Sequence, residues 1–135
     1  RQQRDAVAIN LAQTFSSHEL AQAITKVQPL PDVITLEEMR ALGDEYLEAS
    51  LTVCTSFETM GLLVYRRIAP MDLVLDLAGG IVSTMCRKLR RWNEDLRVEQ
   101  QQPSWGEWFD WLGDQAIKRK TESGPGHIEH RDWEP

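Results

Sequence analysis

Glu58 is the side chain in this sequence best placed to do chemistry. At helical spacing its neighbours are Leu51, Cys54, Gly61, Leu62 and Tyr65, at i−7, i−4, i+3, i+4 and i+7. A carboxylate ringed by apolar groups loses hydration when its helix docks. It must then pair with a cation, accept hydrogen bonds or take up a proton. Arg90 and Arg97 lie on the flank of the helix predicted to face it. The expectation is a largely buried ion pair of Glu58 with Arg90 or Arg97, of the kind that sets helix register. The alternative is a small enzyme whose pocket uses Glu58 and a nearby arginine. General acid work needs a second polar group, and no such partner is marked, so a non-catalytic reading is preferred.

Three other groups of residues invite a chemical reading. Arg87, Lys88, Arg90 and Arg91 form a basic run that suggests an anionic lipid or nucleic-acid surface. Glu94, Asp95 and Glu99 follow at once, so a solvated, balanced helix face is the favoured account. His127-Ile128-Glu129-His130 has two histidines at i, i+3 in a Gly/Pro-containing tail. HExxH needs i, i+4 on a helix, and further ligands are missing, so no metal is expected. Cys54 and Cys86 belong to no CxxC or Cys/His cluster, which argues against structural zinc and for buried, reduced thiols. A disulfide needs their two stripes to meet at one height. Gly79-Gly80 lacks the preceding strand and the following Lys-Ser/Thr of a phosphate loop. No cofactor is expected.

The elements that must position these groups read as helices. Val7, Leu11 and Phe15 recur at i, i+4, i+8 over residues 1–15. Ser16 or Ser17 caps a second helix with Leu20, Ile24 and Val27 on one face, ended by Pro29 and Pro31. Thr35-Leu36-Glu37-Glu38 is a capping box that opens a long helix to about Arg67. Its stripe holds Met39, Leu42, Tyr46, Ser50, Val53, Phe57, Met60 and Val64, with Gly43 and Gly61 at the edge as sites of close approach. After Pro70, Asp72 is expected to cap a second long helix to about Val98. Its stripe includes Val74, Ala78, Ile81, Met85, Leu89, Trp92 and Leu96. Ser104-Trp105-Gly106-Glu107 matches a second capping box, opening a last helix to about Lys120. Trp105, Trp108, Phe109, Leu112 and Ala116 share its inner face, while Trp111 lies off it.

The expected fold is all-α: two long antiparallel helices with two or three shorter helices packed across them. One helical domain spans residues 1–120, and a loose, Gly- and Pro-containing tail spans 121–135. The chain has 135 residues, enough for one core without disulfides or metal. Its 41% hydrophobic and 27% charged content describes a folded domain. A net charge of −6 argues against a nucleic-acid partner, which needs a basic face. No apolar run approaches the roughly 20 residues that span a bilayer. The chain opens at Arg1 without a signal-peptide pattern, so an upstream segment removed from it is expected.

Phe57-Glu58-Thr59-Met60-Gly61-Leu62-Leu63, Ile68-Ala69-Pro70 and Phe109-Asp110-Trp111-Leu112 together resemble a family of uncharacterised bacterial proteins. The likeness covers roughly residues 5–120. Members of that family carry an N-terminal transmembrane helix followed by a small cytosolic all-helical domain. The resemblance implies a helical domain held near a membrane, with no assigned activity. The functional expectation is therefore a non-catalytic interaction or regulatory domain, the soluble part of a membrane-tethered bacterial protein. It would be cytoplasmic, at the cytoplasmic face of the inner membrane. Its partner is expected to be a protein or a second copy, with membrane contact only through a segment absent from this chain. Trp111 and Trp133 are the interface candidates, since an aromatic on a polar flank is a common hot spot.

Overall fold

The computed structural model describes residues 2–122 and 125–135. Arg1 of the first predicted helix and Ser123 and Gly124 of the tail lie outside the described residues, as does the side chain of Glu129 in the His127–His130 set. The chain forms α1 (Gln2–Phe15), α2 (His18–Val27), α3 (Leu36–Leu42), α4 (Asp44–Tyr65), α5 (Met71–Glu99), α6 (Glu107–Glu122) and a single turn, α7 (Gly126–Glu129). No strand occurs among the described residues, and the fold is an all-α bundle.

Local chemistry explains most of the boundaries. The Ser17 hydroxyl accepts the Leu20 amide at the start of α2. The Thr35–Glu38 capping box is fully formed, each side chain accepting the other residue's backbone amide at 3.1 Å. The expected single helix from Leu36 to Arg67 is instead two, because Gly43 adopts φ 110° and ψ 168° between α3 and α4. That conformation is open mainly to glycine. A Cβ on Gly43 would meet nothing within 4 Å, so this glycine makes a corner and not a close approach. Two further expectations fail at helix starts. Asp72 falls inside the first turn of α5, whose cap position is held by Pro70. Ser104–Glu107 forms a turn instead of a box, with the Glu107 amide on the Ser104 carbonyl at 3.2 Å.

Both long helices end in the same way. Ile68 N–H donates to Leu63 O and Arg67 N–H to Val64 O, while Arg67 has φ 60°. Gln102 N–H donates to Arg97 O and Gln101 N–H to Val98 O, while Gln101 has φ 52°. These are Schellman caps with a side chain where glycine is usual.

Residue pairings set the directions of the helices. Arg97 meets Asp110, Arg90 meets Asp114 and Arg119 meets Asp76, so α5 and α6 are antiparallel. Glu58 meets Phe109 and Tyr65 meets Trp111, so α4 runs with α6 and against α5. The short helix α6 packs on both long helices more extensively than these pack on each other, and α2 covers another side of α4. Phe57, Met60, Met85, Leu89, Trp92, Phe109 and Leu112 form the centre of the core. Leu42 and Ile81, expected on buried stripes, are 44% and 40% exposed.

Candidate functional site

Glu58 is half-buried and does not pair with either expected arginine. Its Oε1 accepts the Phe109 amide at 2.8 Å, and the Trp108 amide stabilises the same carboxylate. These are the N3 and N2 amides of α6, which in most helices a local side chain would satisfy. Here the preceding residue is Gly106, with φ 68° and no side chain to offer. Glu58 therefore caps α6 from a different helix. Gly106 cannot be replaced cheaply, because a Cβ there would lie 3.3 Å from the Asn93 side chain. Burial raises the Glu58 pKa above its ordinary value, the two amides oppose that rise, Glu107 adds to it, and Arg97 opposes it at longer range.

The arginines have other partners. Arg97 donates to Asp110 at 2.8 Å and to the Trp105 carbonyl. Arg90 donates to Asp114 at 2.7 Å and to the Cys86 sulfur at 3.1 Å, with Asp110 at 3.8 Å. Both thus bind α5 to the opening turns of α6. The expected Glu58–arginine pair is corrected to a helix cap beside an arginine–aspartate seam. A helical wheel shows that Glu58 faces apolar neighbours but not that a helix end stands across from it.

The basic run is tied down by ion pairs within the fold. Arg87 and Lys88 hold Asp32 at 2.9 and 3.2 Å, and Lys88 also donates to the Leu30 carbonyl. Arg91 pairs with Asp95 at 2.9 Å. Asp95 in turn accepts the Leu36 amide at 3.0 Å, a second helix start capped from a neighbouring helix. With Arg90 on Asp114, every cation of the run is paired, Arg87 and Lys88 sharing the one carboxylate of Asp32.

Cys54 and Cys86 are both buried and unbridged. Burial pushes the Cys54 thiol up to about 12 and the Cys86 thiol up to about 11. Both are protonated at neutral pH, which makes them poor nucleophiles. Cys54 donates weakly to Asn93 Oδ1 at 3.4 Å, and the same oxygen accepts Trp105 Nε1–H at 2.9 Å. Among the described residues no cluster of three or more His, Cys, Asp or Glu could hold a metal.

Two clefts are lined by α4, and Glu58 lies in one of them. One of about 700 Å³ lies between α3, α4, α5 and the start of α6, and its lining includes Glu58, Leu36, Leu51, Leu96 and Trp105, with Gln102 and Ser104 among its polar groups. Arg40 stands at its edge, forked onto Glu99. The other, about 800 Å³, lies between α1, α2 and α4, and the hydroxyls of Thr55 and Thr59 in its wall are spent on their own helix.

The last feature is an aromatic surface at the end of α4. Tyr65 is 53% exposed and stacks on Trp108 with centroids 4.3 Å apart. Trp111 meets Tyr65 edge-on at 5.7 Å and lines a hollow of about 500 Å³ with Ile68, Ala69, Pro70 and Met71. Trp108 was expected in the core but is half-buried, because its backbone lies on Gly61. A Cβ on Gly61 would overlap the Trp108 carbonyl, so this glycine does permit the expected close approach. Trp133 is 71% exposed in the tail, away from this surface's named contacts.

A family model, Domain of unknown function (DUF4760), matches residues 1–115. The chain belongs to the DUF4760 family. No curated protein and no solved structure matches it.

Proposed function

We propose that this DUF4760 domain is a non-catalytic interaction domain that docks a protein through the surface at the end of α4. The observation that supports it is an apolar hollow lined by Tyr65, Ile68 and Trp111, with Trp108 packed against both Tyr65 and Trp111. Arg67 lines it and Arg66 precedes it in the chain, both exposed and without an ion-pair partner among the described residues. An apolar centre with an arginine rim is the usual make-up of a docking surface, and aromatic and arginine side chains carry most interface energy. The Schellman cap supports this reading, since it turns the chain at Arg67 and presents Tyr65 to Ile68 together. A partner segment with an apolar face and acidic flanks fits this chemistry.

In the same proposal the host is bacterial and the domain is tethered at the cytoplasmic face of the inner membrane. No helix of the described residues is long and apolar enough to cross a membrane. A net charge of −6 and a basic run already paired give little attraction to an anionic leaflet, so attachment in this reading needs a dedicated tether. Membrane fractionation of the natural gene product tests that part.

The docking claim is tested by placing a photo-crosslinking residue at Tyr65 or, as a control, at exposed Glu94 on α5, in living cells. Adducts from Tyr65 well above those from Glu94 are expected. Equal, background labelling at both sites overturns the proposal.

A further inference from the structure

We propose that the cleft between α3, α4, α5 and the start of α6 binds a small organic cation with an apolar body, with Glu58 as its counter-ion. The cleft is about 700 Å³, within the range of small-molecule sites. Its walls are mainly apolar, with Leu36, Leu51, Leu96 and the Trp105 ring among them. One ionisable group in it, Glu58, has backbone amides but no ion-pair partner among the described residues. Arg40 is forked onto Glu99 and brings no net charge to the edge. Glu58 has no basic partner among the described residues, because Arg90 and Arg97 are committed to Asp114 and Asp110.

The hydrogen bonding of Glu58 points the same way. A carboxylate offers about four lone-pair sites. Backbone amides of Phe109 and Trp108 occupy part of that capacity, and among the described residues no side-chain donor takes the rest. A carboxylate in apolar surroundings with spare acceptor capacity and no cation is what an ammonium group completes. Trp105 is held by its Nε1–H bond to Asn93, so its ring is a fixed wall for the apolar part of the ligand and can add attraction for the positive charge. An anionic ligand would meet Glu58 unfavourably, and a neutral one would leave it unpaired. The chemistry selects a monocation.

The test is calorimetric titration of the whole chain with phenethylammonium, phenethyl alcohol and phenylacetate. The ammonium is expected to saturate one site per chain and bind about tenfold more tightly than the alcohol, the gain of one charge-assisted contact. Phenylacetate should bind weakest. Glu58→Gln, which keeps an acceptor for the α6 amides, should erase the preference for the ammonium over the alcohol. Thr55→Trp, at an exposed position on the cleft wall, should weaken both by filling the space. If Glu58→Gln does not fold, the wild-type comparison and Thr55→Trp decide the matter. Equal binding of ammonium and alcohol to the wild type, absence of saturable binding, or an unchanged preference in folded Glu58→Gln overturns the proposal.

Discussion

Replacing Glu58 by alanine, glutamine and leucine separates its role as a cap from a role as a charge. Alanine removes the acceptor that serves Phe109 and Trp108. Loss of a cap residue costs about 1 kcal/mol in a typical helix, and a fully buried amide left without a partner costs about 1–3 kcal/mol. Glu58 is half-buried, so water reaches part of the gap and the lower half of that range applies. The expected loss for Glu58→Ala is about 1.5 kcal/mol, or about 5 °C in Tm for a domain of this size. Glu58→Leu should lose as much, since packing does not supply an acceptor. Glutamine keeps a carbonyl oxygen within reach, so Glu58→Gln should stay within about 0.5 kcal/mol of the wild type near neutral pH.

The pH dependence adds a signed test. Burial raises the Glu58 pKa, so the folded state binds the proton more readily than the unfolded chain between the ordinary carboxyl value and the raised one. Stability from this group is greatest below that window and falls as pH rises through it. Glu58→Gln should remove that fall and leave the rest of the profile in place. Urea denaturation from pH 4 to 8 checks both points. Equal large losses for glutamine and alanine, or no loss for alanine, would refute the assignment of Glu58 as the cap of α6.

Further outcomes follow from the same structure. Arg67→Gly and Gln101→Gly should each stabilise by about 0.5–1 kcal/mol in thermal denaturation, because glycine adopts the left-handed cap conformation without the Cβ clash. Phe109→Ala, fully buried, should cost about 3–5 kcal/mol, whereas Trp108→Ala and Trp111→Ala should cost clearly less in urea titrations. Both thiols should resist Ellman's reagent in the native protein and react fully on unfolding, since burial holds them protonated. Deleting residues 123–135 should leave Tm within a few degrees, as exposed Trp133 is the tail's main candidate for docking.

The features that were legible in the sequence are those written in local spacing. Thr35 with Glu38, Ser17 before Leu20, and the apolar periodicities of α4 and α5 each announce themselves within four residues. The break at Gly43 had a signal too, a glycine followed by the acidic first turn of Asp44 and Glu45, but the continuous apolar stripe on both sides concealed it. Ser104–Glu107 misled for the opposite reason. It matches a capping box by residue type, yet the chain turns with Gly106 at positive φ and leaves the cap to Glu58, fifty-one residues away by the Phe109 hydrogen bond. The wheel placed Glu58 among apolar neighbours correctly, but nothing along the chain says that α6 starts opposite it. The Schellman caps at Arg67 and Gln101 were hidden because the glycine that marks such ends is absent. The aromatic surface was half-visible: Trp111 stood off the inner face of its helix, while its contact with Tyr65 depends on the parallel run of α4 and α6.

The docking account is tested most directly by hydroxyl-radical footprinting of the same protein in living cells and after purification. Oxidation of Tyr65 and Trp111 should be several-fold lower in cells than in the purified domain, while exposed Trp133 is oxidised alike in both. Equal oxidation of Tyr65 and Trp111 in the two settings would contradict a partner at the end of α4.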